Sequence, residues 1–141
     1  MPLSIICTAK ATSIGGRNGH ARSEDGLISV DLSIPKAFGG PGRSGTTTPE
    51  HLFGAGYAAC FGSAIEHVAA EKKIKCEYIE VDAAVGIGPT AEGGFGLAVT
   101  LTAAIGGVTG AEAEELVHAA HRICPYSNAV RGNIDVSLRV V

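Results

Sequence analysis

The segment from Leu52 to Ile65, LFGAGYAACFGSAI, constrains the fold more than any other part of the chain. Drawn as a helix, it is apolar on nearly every side, and its small residues allow close approach of neighbouring elements. A helix without a polar face has to be surrounded by protein. The preceding TTPE sequence predicts the helix start, because a threonine can cap it, proline fits the first turn and Glu50 lies at its positive end. The helix is expected to run to about Lys73.

Four segments outside this helix alternate apolar and polar residues with a period of two. Such alternation predicts strands with one buried and one polar face, which is typical of antiparallel sheet. Turn-forming pairs agree, because Asn18-Gly19 and Asp25-Gly26 favour hairpins, and the sequence AEGG separates two of the strands. The predicted strands are Ile28–Ile34, Ile79–Ile87, Phe95–Ile105 and Ile134–Val140.

A second helix is predicted from Thr109, since Glu112 completes a capping box and Pro125 ends or kinks the helix. The element order is then βββ-α-ββ-α-β in a single domain of residues 1–141, an α+β fold with largely antiparallel pairing. One six-stranded layer would cover only one side of the first helix. We therefore expect an obligate homodimer that buries both copies of that helix, in keeping with a composition of 45% hydrophobic and only 18% charged residues.

Charge and the length of the apolar stretch exclude two classes of partner. The formal net charge is -3 and the 11 Lys and Arg are scattered, so no basic stripe can neutralise phosphates and we expect no nucleic-acid binding. The apolar stretch is shorter than the roughly 17–25 residues that span a bilayer, so we expect no membrane insertion. The N-terminus lacks a basic start and an apolar region of signal-peptide length, which favours a cytoplasmic location.

The four widely spaced cysteines are Cys7, Cys60, Cys76 and Cys124. They form no C-x-x-C pair, which argues against zinc ribbons and thioredoxin-like motifs. Structural disulfides are rare in cytosolic chains. Because no C-x-x-C pair is present, any redox pair would have to form by folding, between cysteines far apart in sequence. A cysteine on an apolar helix, such as Cys60, is usually a small buried hydrophobe. Burial would also raise its pKa, so catalysis at Cys60 requires a nearby cation or hydrogen-bond donors.

Cys124 lies where the second helix meets Pro125. If a new turn starts there, Cys124 is its N-cap, where the partial positive charge favours an anionic sulfur; otherwise it is a core cysteine near a helix end. Arg17 lies in the turn-forming run GGRNG, and Glu50 lies in the first turn of the first helix. The Arg17 side chain is either a solvated turn arginine or is directed inward by this turn. Glu50 on its own is interpreted as half of a capping box. Alternatively, a carboxylate at Glu50 could hold an arginine in a bidentate pair and position its charge.

Other patterns fit their surroundings poorly. The sequence GAGYAA matches a dinucleotide-binding fingerprint in letters, but it lies inside a helix instead of following a strand. His118, His121 and Cys124 could be arranged as a metal site, yet no fourth ligand is evident. No serine stands in a nucleophile-elbow setting. We therefore expect no bound metal or cofactor.

Three segments together resemble the organic hydroperoxide resistance branch of the OsmC-like family, over essentially the whole chain. The resemblance implies that Cys60 reacts with peroxide, Cys124 resolves the product, Arg17 activates the first thiol and Glu50 orients that arginine. It also implies an intertwined homodimer, with sheets wrapped around central helices and two active sites at the subunit interface. The segments are GGRNGHARSEDG (Gly15 to Gly26), PEHLFGAGYAACF (Pro49 to Phe61) and HRICPYSNAVRGN (His121 to Asn133).

The function implied by this resemblance is that of a thiol peroxidase. It would reduce alkyl and fatty-acyl hydroperoxides through a Cys60 sulfenic acid and a Cys60–Cys124 disulfide, and an external dithiol, a dihydrolipoyl group on a lipoylated protein, would restore the thiols. Two alternatives stay open: an OsmC-type peroxidase with another peroxide preference, and a non-enzymatic redox sensor or lipid-binding protein. Cys7 and Cys76 match no family motif. The chain departs from the family pattern at Thr48, Gly54 and Val130.

Overall fold

The computed structural model describes residues 3–141, which divide into two compact units between Pro49 and Glu50. The observed element order confirms the predicted βββ-α-ββ-α-β arrangement and the α+β class, with one short helix added. The assignment of residues 1–141 to a single domain stays a prediction. The elements are β1 (Ala11–Ile14), β2 (His20–Ser23), β3 (Ser29–Asp31), α1 (Pro49–Glu71), β4 (Tyr78–Pro89), β5 (Phe95–Gly106), α2 (Gly110–Ile123), α3 (Pro125–Val130) and β6 (Asp135–Val140).

The first unit is built on an antiparallel sheet in the order β1-β2-β3. A 3-10 helix, Gly16–Asn18, connects β1 to β2. The turn depends on glycine, because Gly15 has a φ of 82° and a Cβ atom at Gly19 would overlap the Ile14 carbonyl oxygen. This turn carries Arg17, which is half-buried.

The third strand is shorter than the alternation of Ile28–Ile34 predicts. After Asp31 the backbone leaves β2 and pairs with the end of the loop instead, since Thr47 N donates to the Asp31 carbonyl at 2.9 Å. Leu32 and Thr47 form an isolated parallel bridge. The glycine-rich loop between them is held by Arg43, whose Nη2 donates to the Leu32 carbonyl at 2.8 Å.

The second unit contains a long hairpin of β4 and β5, with β6 added beside β5. The AEGG turn connects the hairpin as predicted. The expectation of one six-stranded layer is wrong, because the strands form two sheets of three. The pairing of β6 with β5 is parallel. Alternation does not encode strand direction, and a parallel neighbour requires a crossover such as the one that α2 and α3 supply.

The core of the second unit lies between α1, α2 and the sheet. Helix α1 contributes Tyr57, Phe61 and Ile65, all completely buried, and they pack with residues of β5 and α2 such as Leu101 and Leu116. The opposite face of α1 is exposed and carries small residues, which follow one another at every fourth position: Ala55, Ala59 and Ser63. Within this chain, one side of the apolar helix is therefore buried and the other is not.

Helix α2 begins as the sequence predicts. Thr109 Oγ1 accepts a hydrogen bond from Glu112 N at 3.1 Å, and Glu112 Oε1 accepts one from Thr109 N at 2.9 Å. This reciprocal capping box satisfies two backbone donors that the helix leaves unpaired. Through residues 3–141, no helix combines the length and the apolar character needed to cross a bilayer.

Candidate active site

Cys60 and Cys124 are brought together by the fold. Cys60 is half-buried in the middle of α1, and Cys124 is completely buried between α2 and α3. Both are free thiols, and the Cys124 side chain lies close enough to Cys60 to raise its pKa. The fold therefore brings together two cysteines that are far apart in sequence, and the redox pairing of Cys60 with Cys124 stays a prediction.

Cys60 is held as a neutral thiol by its surroundings. Burial raises its pKa above the ordinary value, and the hydrogen bond with Cys124 together with the charge of Cys124 raises it further. A hydrogen bond with the backbone of Tyr126 acts in the opposite direction. A peroxide-reactive thiolate at Cys60 therefore requires an additional favourable charge, as the sequence analysis anticipated.

The position of Cys124 follows from Pro125. Proline disfavours the helical conformation in the residue before it, and Cys124 accordingly has an extended backbone with φ -61° and ψ 125°. Cys124 is the C-cap of α2 and the N-cap of α3, with Pro125 as the first residue of the new helix. The sequence-based expectation of a new turn at Pro125 is confirmed.

Aromatic rings lie beside the two thiols. Tyr126 packs against Tyr57 and Phe53, with ring centroids 5.8 and 6.4 Å away, and Tyr57 packs edge-on against Phe61. Gly56 makes room for Tyr126, because a Cβ atom there would lie 3.0 Å from the Tyr126 hydroxyl oxygen. This role of Tyr126 was not predicted from the sequence. A glycine inside a helix, where alanine is more favourable, was the available signal.

A buried polar network lies next to these rings, and no sequence motif indicated it. The Tyr57 hydroxyl is 2.7 Å from Ser127 Oγ, which is 2.9 Å from His121 Nδ1. Arg131 donates to the backbone carbonyl of His121 and to Asn128 Oδ1. Burial lowers the pKa of His121, with smaller contributions from the charges of Arg131 and His118, so His121 is neutral over a wider pH range than an exposed histidine.

Glu50 lies in the first turn of α1 and is partly buried. It lines a cavity of about 330 Å³ together with His51 and Gly54 of α1 and residues 83–85 of β4. Arg17 belongs to the first unit and Glu50 to the second. The pairing of Arg17 with Glu50 and its action on Cys60 stay predictions.

Cys7 and Cys76 are also free thiols. Cys7 is exposed, and Cys76 is half-buried just before β4.

No group of three His, Cys, Asp or Glu side chains in residues 3–141 is arranged to hold a metal ion. The considered site of His118, His121 and Cys124 is thus not assembled: His121 is directed to Ser127, and His118 lies 3.5 Å from Glu114 on the helix surface.

One cluster in the first unit has the connectivity of a hydrolase triad. His20 Nδ1 lies 2.8 Å from Asp31 Oδ1, and His20 Nε2 lies 3.0 Å from Ser29 Oγ. Ser29 is on a regular strand and exposed, whereas nucleophilic serines stand on sharp turns next to oxyanion donors. His20 and Asp31 are directly opposite in the sheet, so we interpret the cluster as a cross-strand link.

Comparison with known proteins identifies one family. Residues 40–139 match the family described as OsmC-like protein. The chain is 50% identical to an organic hydroperoxide resistance protein of Xanthomonas axonopodis pv. citri, over 97% of this chain and 96% of the relative.

Solved structures agree with this match. An organic hydroperoxide resistance protein from Legionella pneumophila is 50% identical and superposes with a TM-score of 0.91, covering 97% of this chain and 98% of the other. The organic hydroperoxide resistance protein OhrB of Bacillus subtilis is 45% identical, with a TM-score of 0.87 and coverage of 97% and 100%.

Proposed function

The chain belongs to the OsmC-like protein family, and on this premise we propose that it is a thiol peroxidase that reduces organic hydroperoxides to alcohols. The observation that carries the proposal is that the fold brings two free thiols near each other, the half-buried Cys60 on α1 and the completely buried Cys124 between α2 and α3. Relatives that are about half identical over nearly their whole length are named organic hydroperoxide resistance proteins, which supports the substrate class.

The first step is a displacement at Cys60. Its thiolate attacks the distal oxygen of ROOH, the O–O bond breaks, and the alkoxide leaves and takes up a proton to become ROH. Cys60 is left as a sulfenic acid, oxidised by two electrons. Cys60 is suited to this role because it is the more accessible of the two thiols, whereas Cys124 is completely buried.

The second step closes a disulfide. The Cys124 thiol attacks the Cys60 sulfenic sulfur, an S–S bond forms, and the hydroxyl leaves as water. An external dithiol then reduces the disulfide by exchange and is itself oxidised to a disulfide. Family resemblance favours a dihydrolipoyl group on a lipoylated protein as that dithiol.

Arg17 and Glu50 are assigned their roles by the family motifs. Arg17 would supply the cation that the raised pKa of Cys60 calls for, and it would stabilise the departing alkoxide. Glu50 would hold the guanidinium by a bidentate pair. The position of Glu50 supports its proposed role, because Glu50 lines a cavity at the start of the helix that carries Cys60.

A homodimer is part of the proposal. The small-residue face of α1 is exposed in this chain, as are several apolar side chains in the first unit, with Ile6 97% and Leu27 86% exposed. A second copy would bury such surface. Light scattering of the purified protein should give twice the chain mass of 14.3 kDa; a monomer at micromolar concentration would contradict the dimer.

Organic hydroperoxides should be consumed in preference to hydrogen peroxide. The partly exposed rings of Phe53 and Tyr126 can pack against an alkyl group, and each buried methylene contributes about 0.8 kcal/mol. With dihydrolipoamide as reductant, the kcat/KM for cumene hydroperoxide should exceed that for hydrogen peroxide by at least about tenfold. Steady-state peroxide consumption measures the kcat/KM for each peroxide.

The same assay separates the proposal from its alternatives. Equal kcat/KM values would favour an OsmC-type peroxidase with another preference. A single oxidation without turnover would favour a redox sensor.

Replacing Arg17 with alanine should shift the pH midpoint of the Cys60 reaction upward, because the thiolate loses its cation. An unchanged midpoint would remove Arg17 from the scheme.

A further inference from the structure

The steps proposed above leave one buried cluster without a task. Tyr57 and Ser127 are both completely buried, and their hydroxyl oxygens are 2.7 Å apart. Ser127 Oγ also reaches His121 Nδ1 at 2.9 Å. We refer to Tyr57, Ser127 and His121 as the hydroxyl bridge. It joins three helices, because Tyr57 is on α1, Ser127 on α3 and His121 on α2.

The hydroxyl bridge lies one helical turn from the two cysteines, Cys60 and Cys124. Tyr57 precedes Cys60 by three residues on α1, and residues three apart share one face of a helix. Ser127 follows Cys124 by three residues, and His121 precedes it by three. The hydrogen bond of Tyr57 with Ser127 therefore lies beside the approach of Cys124 to Cys60, one helical turn away on both α1 and α3.

The donors and acceptors of the bridge are complementary. A serine hydroxyl donates one hydrogen bond and accepts others. Tyr57 can donate to Ser127 Oγ, and Ser127 can donate to Nδ1 of a neutral His121 that carries its proton on Nε2. The lowered pKa of His121 is in keeping with this neutral form. Each group then has a partner, which favours one defined arrangement over many.

The segment that carries Cys124 depends on such contacts. Helix α3 has 6 residues, and a helix this short has little stability of its own. Its position relative to α1 must therefore come from packing and from hydrogen bonds to its neighbours. Within the hydroxyl bridge, the hydrogen bond between Tyr57 and Ser127 connects α1 to α3. It lies only three residues from each of the two cysteines.

We infer that Tyr57, Ser127 and His121 are positioning residues, which hold the Cys124 thiol against Cys60 so that the sulfenic acid is captured before a second peroxide reaches it. The role in turnover rests on the proposed function. Capture of the sulfenic acid competes with its oxidation to sulfinic acid. The rate of capture depends on how often the two sulfurs occupy the reactive arrangement.

Two variants and one matched control test this inference. Tyr57→Phe removes one hydroxyl and keeps the ring, and Ser127→Ala removes the centre of the bridge. Tyr78→Phe removes the hydroxyl of a tyrosine that is 58% exposed on β4 and serves as control. The free energy of unfolding of each variant is measured alongside, so that a general loss of stability is recognised.

The first readout uses redox buffers without peroxide. Oxidised glutathione converts the Cys60 and Cys124 thiols to a disulfide and releases two reduced glutathione molecules, so the equilibrium gives the effective concentration of one thiol at the other. Tyr57→Phe and Ser127→Ala should lower this value about 2- to 10-fold, the range for one buried hydrogen bond. Tyr78→Phe should leave it unchanged.

The second readout uses t-butyl hydroperoxide in excess and intact mass. Tyr57→Phe should increase the ratio of Cys60 sulfinic acid to disulfide by a similar factor, while the rate of the first oxidation stays that of the parent. Parent-like ratios and effective concentrations in both bridge variants would overturn the inference and leave only a stabilising role. A parent chain that consumes no peroxide would refute the proposed function, and the glutathione equilibrium would still decide the positioning role.

Discussion

Replacing Cys60 with serine should abolish hydroperoxide turnover. A serine hydroxyl is not ionised near neutral pH and cannot form a sulfenic acid, so both the nucleophile and the oxidised intermediate are lost. Cys124 cannot substitute for it, because that thiol is completely buried. The steady-state rate with cumene hydroperoxide and dihydrolipoamide should fall by about three orders of magnitude or more, as expected for removal of a catalytic nucleophile.

The matched control for this variant is Cys76→Ser. Cys76 is also a half-buried free thiol of the second unit, so its replacement makes the same chemical change outside the sulfur pair. It should keep the parent rate. A Cys60→Ser protein with parent-like turnover would remove the whole scheme, including the tasks given to Arg17 and Glu50.

Replacing Cys124 with serine should give a protein that reacts once and is then over-oxidised. The Cys60 sulfenic acid no longer has a neighbouring thiol to condense with, so further peroxide takes it to sulfinic acid, which ordinary thiols do not reduce. The first oxidation should be no slower than in the parent, because Cys124 raises the pKa of Cys60 in the intact protein and its removal relieves that effect.

Intact mass after successive equivalents of peroxide separates the outcomes for Cys124→Ser. The expected series is one added oxygen atom and then two, with steady turnover lost. If the variant turns over at the parent rate, an external thiol reduces the sulfenic acid directly and Cys124 is not the resolving residue. Under the same conditions the parent chain should be recovered chiefly as the disulfide, with far less added oxygen than the variant.

Local sequence patterns predicted most of the fold. The alternation around Val81 and Val99 gave both strands of the long hairpin, and Thr109 with Glu112 gave the capping box of α2. These features depend on side chains close together in sequence. The direction of β6 was not predictable in this way, since it depends on the crossover through α2 and α3.

The site was predictable only in part for the same reason. Cys60 and Cys124 were proposed from their motifs, which stays a prediction, and Pro125 indicated the break that positions Cys124. The hydroxyl bridge was not anticipated, because Tyr57 and Ser127 are far apart in sequence and each is ordinary in its own segment. Only the folded arrangement of α1 against α3 brings these two hydroxyl groups together.

The central claim is that the Cys60 and Cys124 sulfurs are a reacting pair. The most direct test is to treat the reduced parent protein with one equivalent of cumene hydroperoxide, block the remaining thiols and map the peptides. We predict one disulfide between Cys60 and Cys124, with Cys7 and Cys76 still alkylated. Recovery of Cys60 and Cys124 both as free thiols, or of a disulfide that joins Cys60 to another cysteine, would contradict the account.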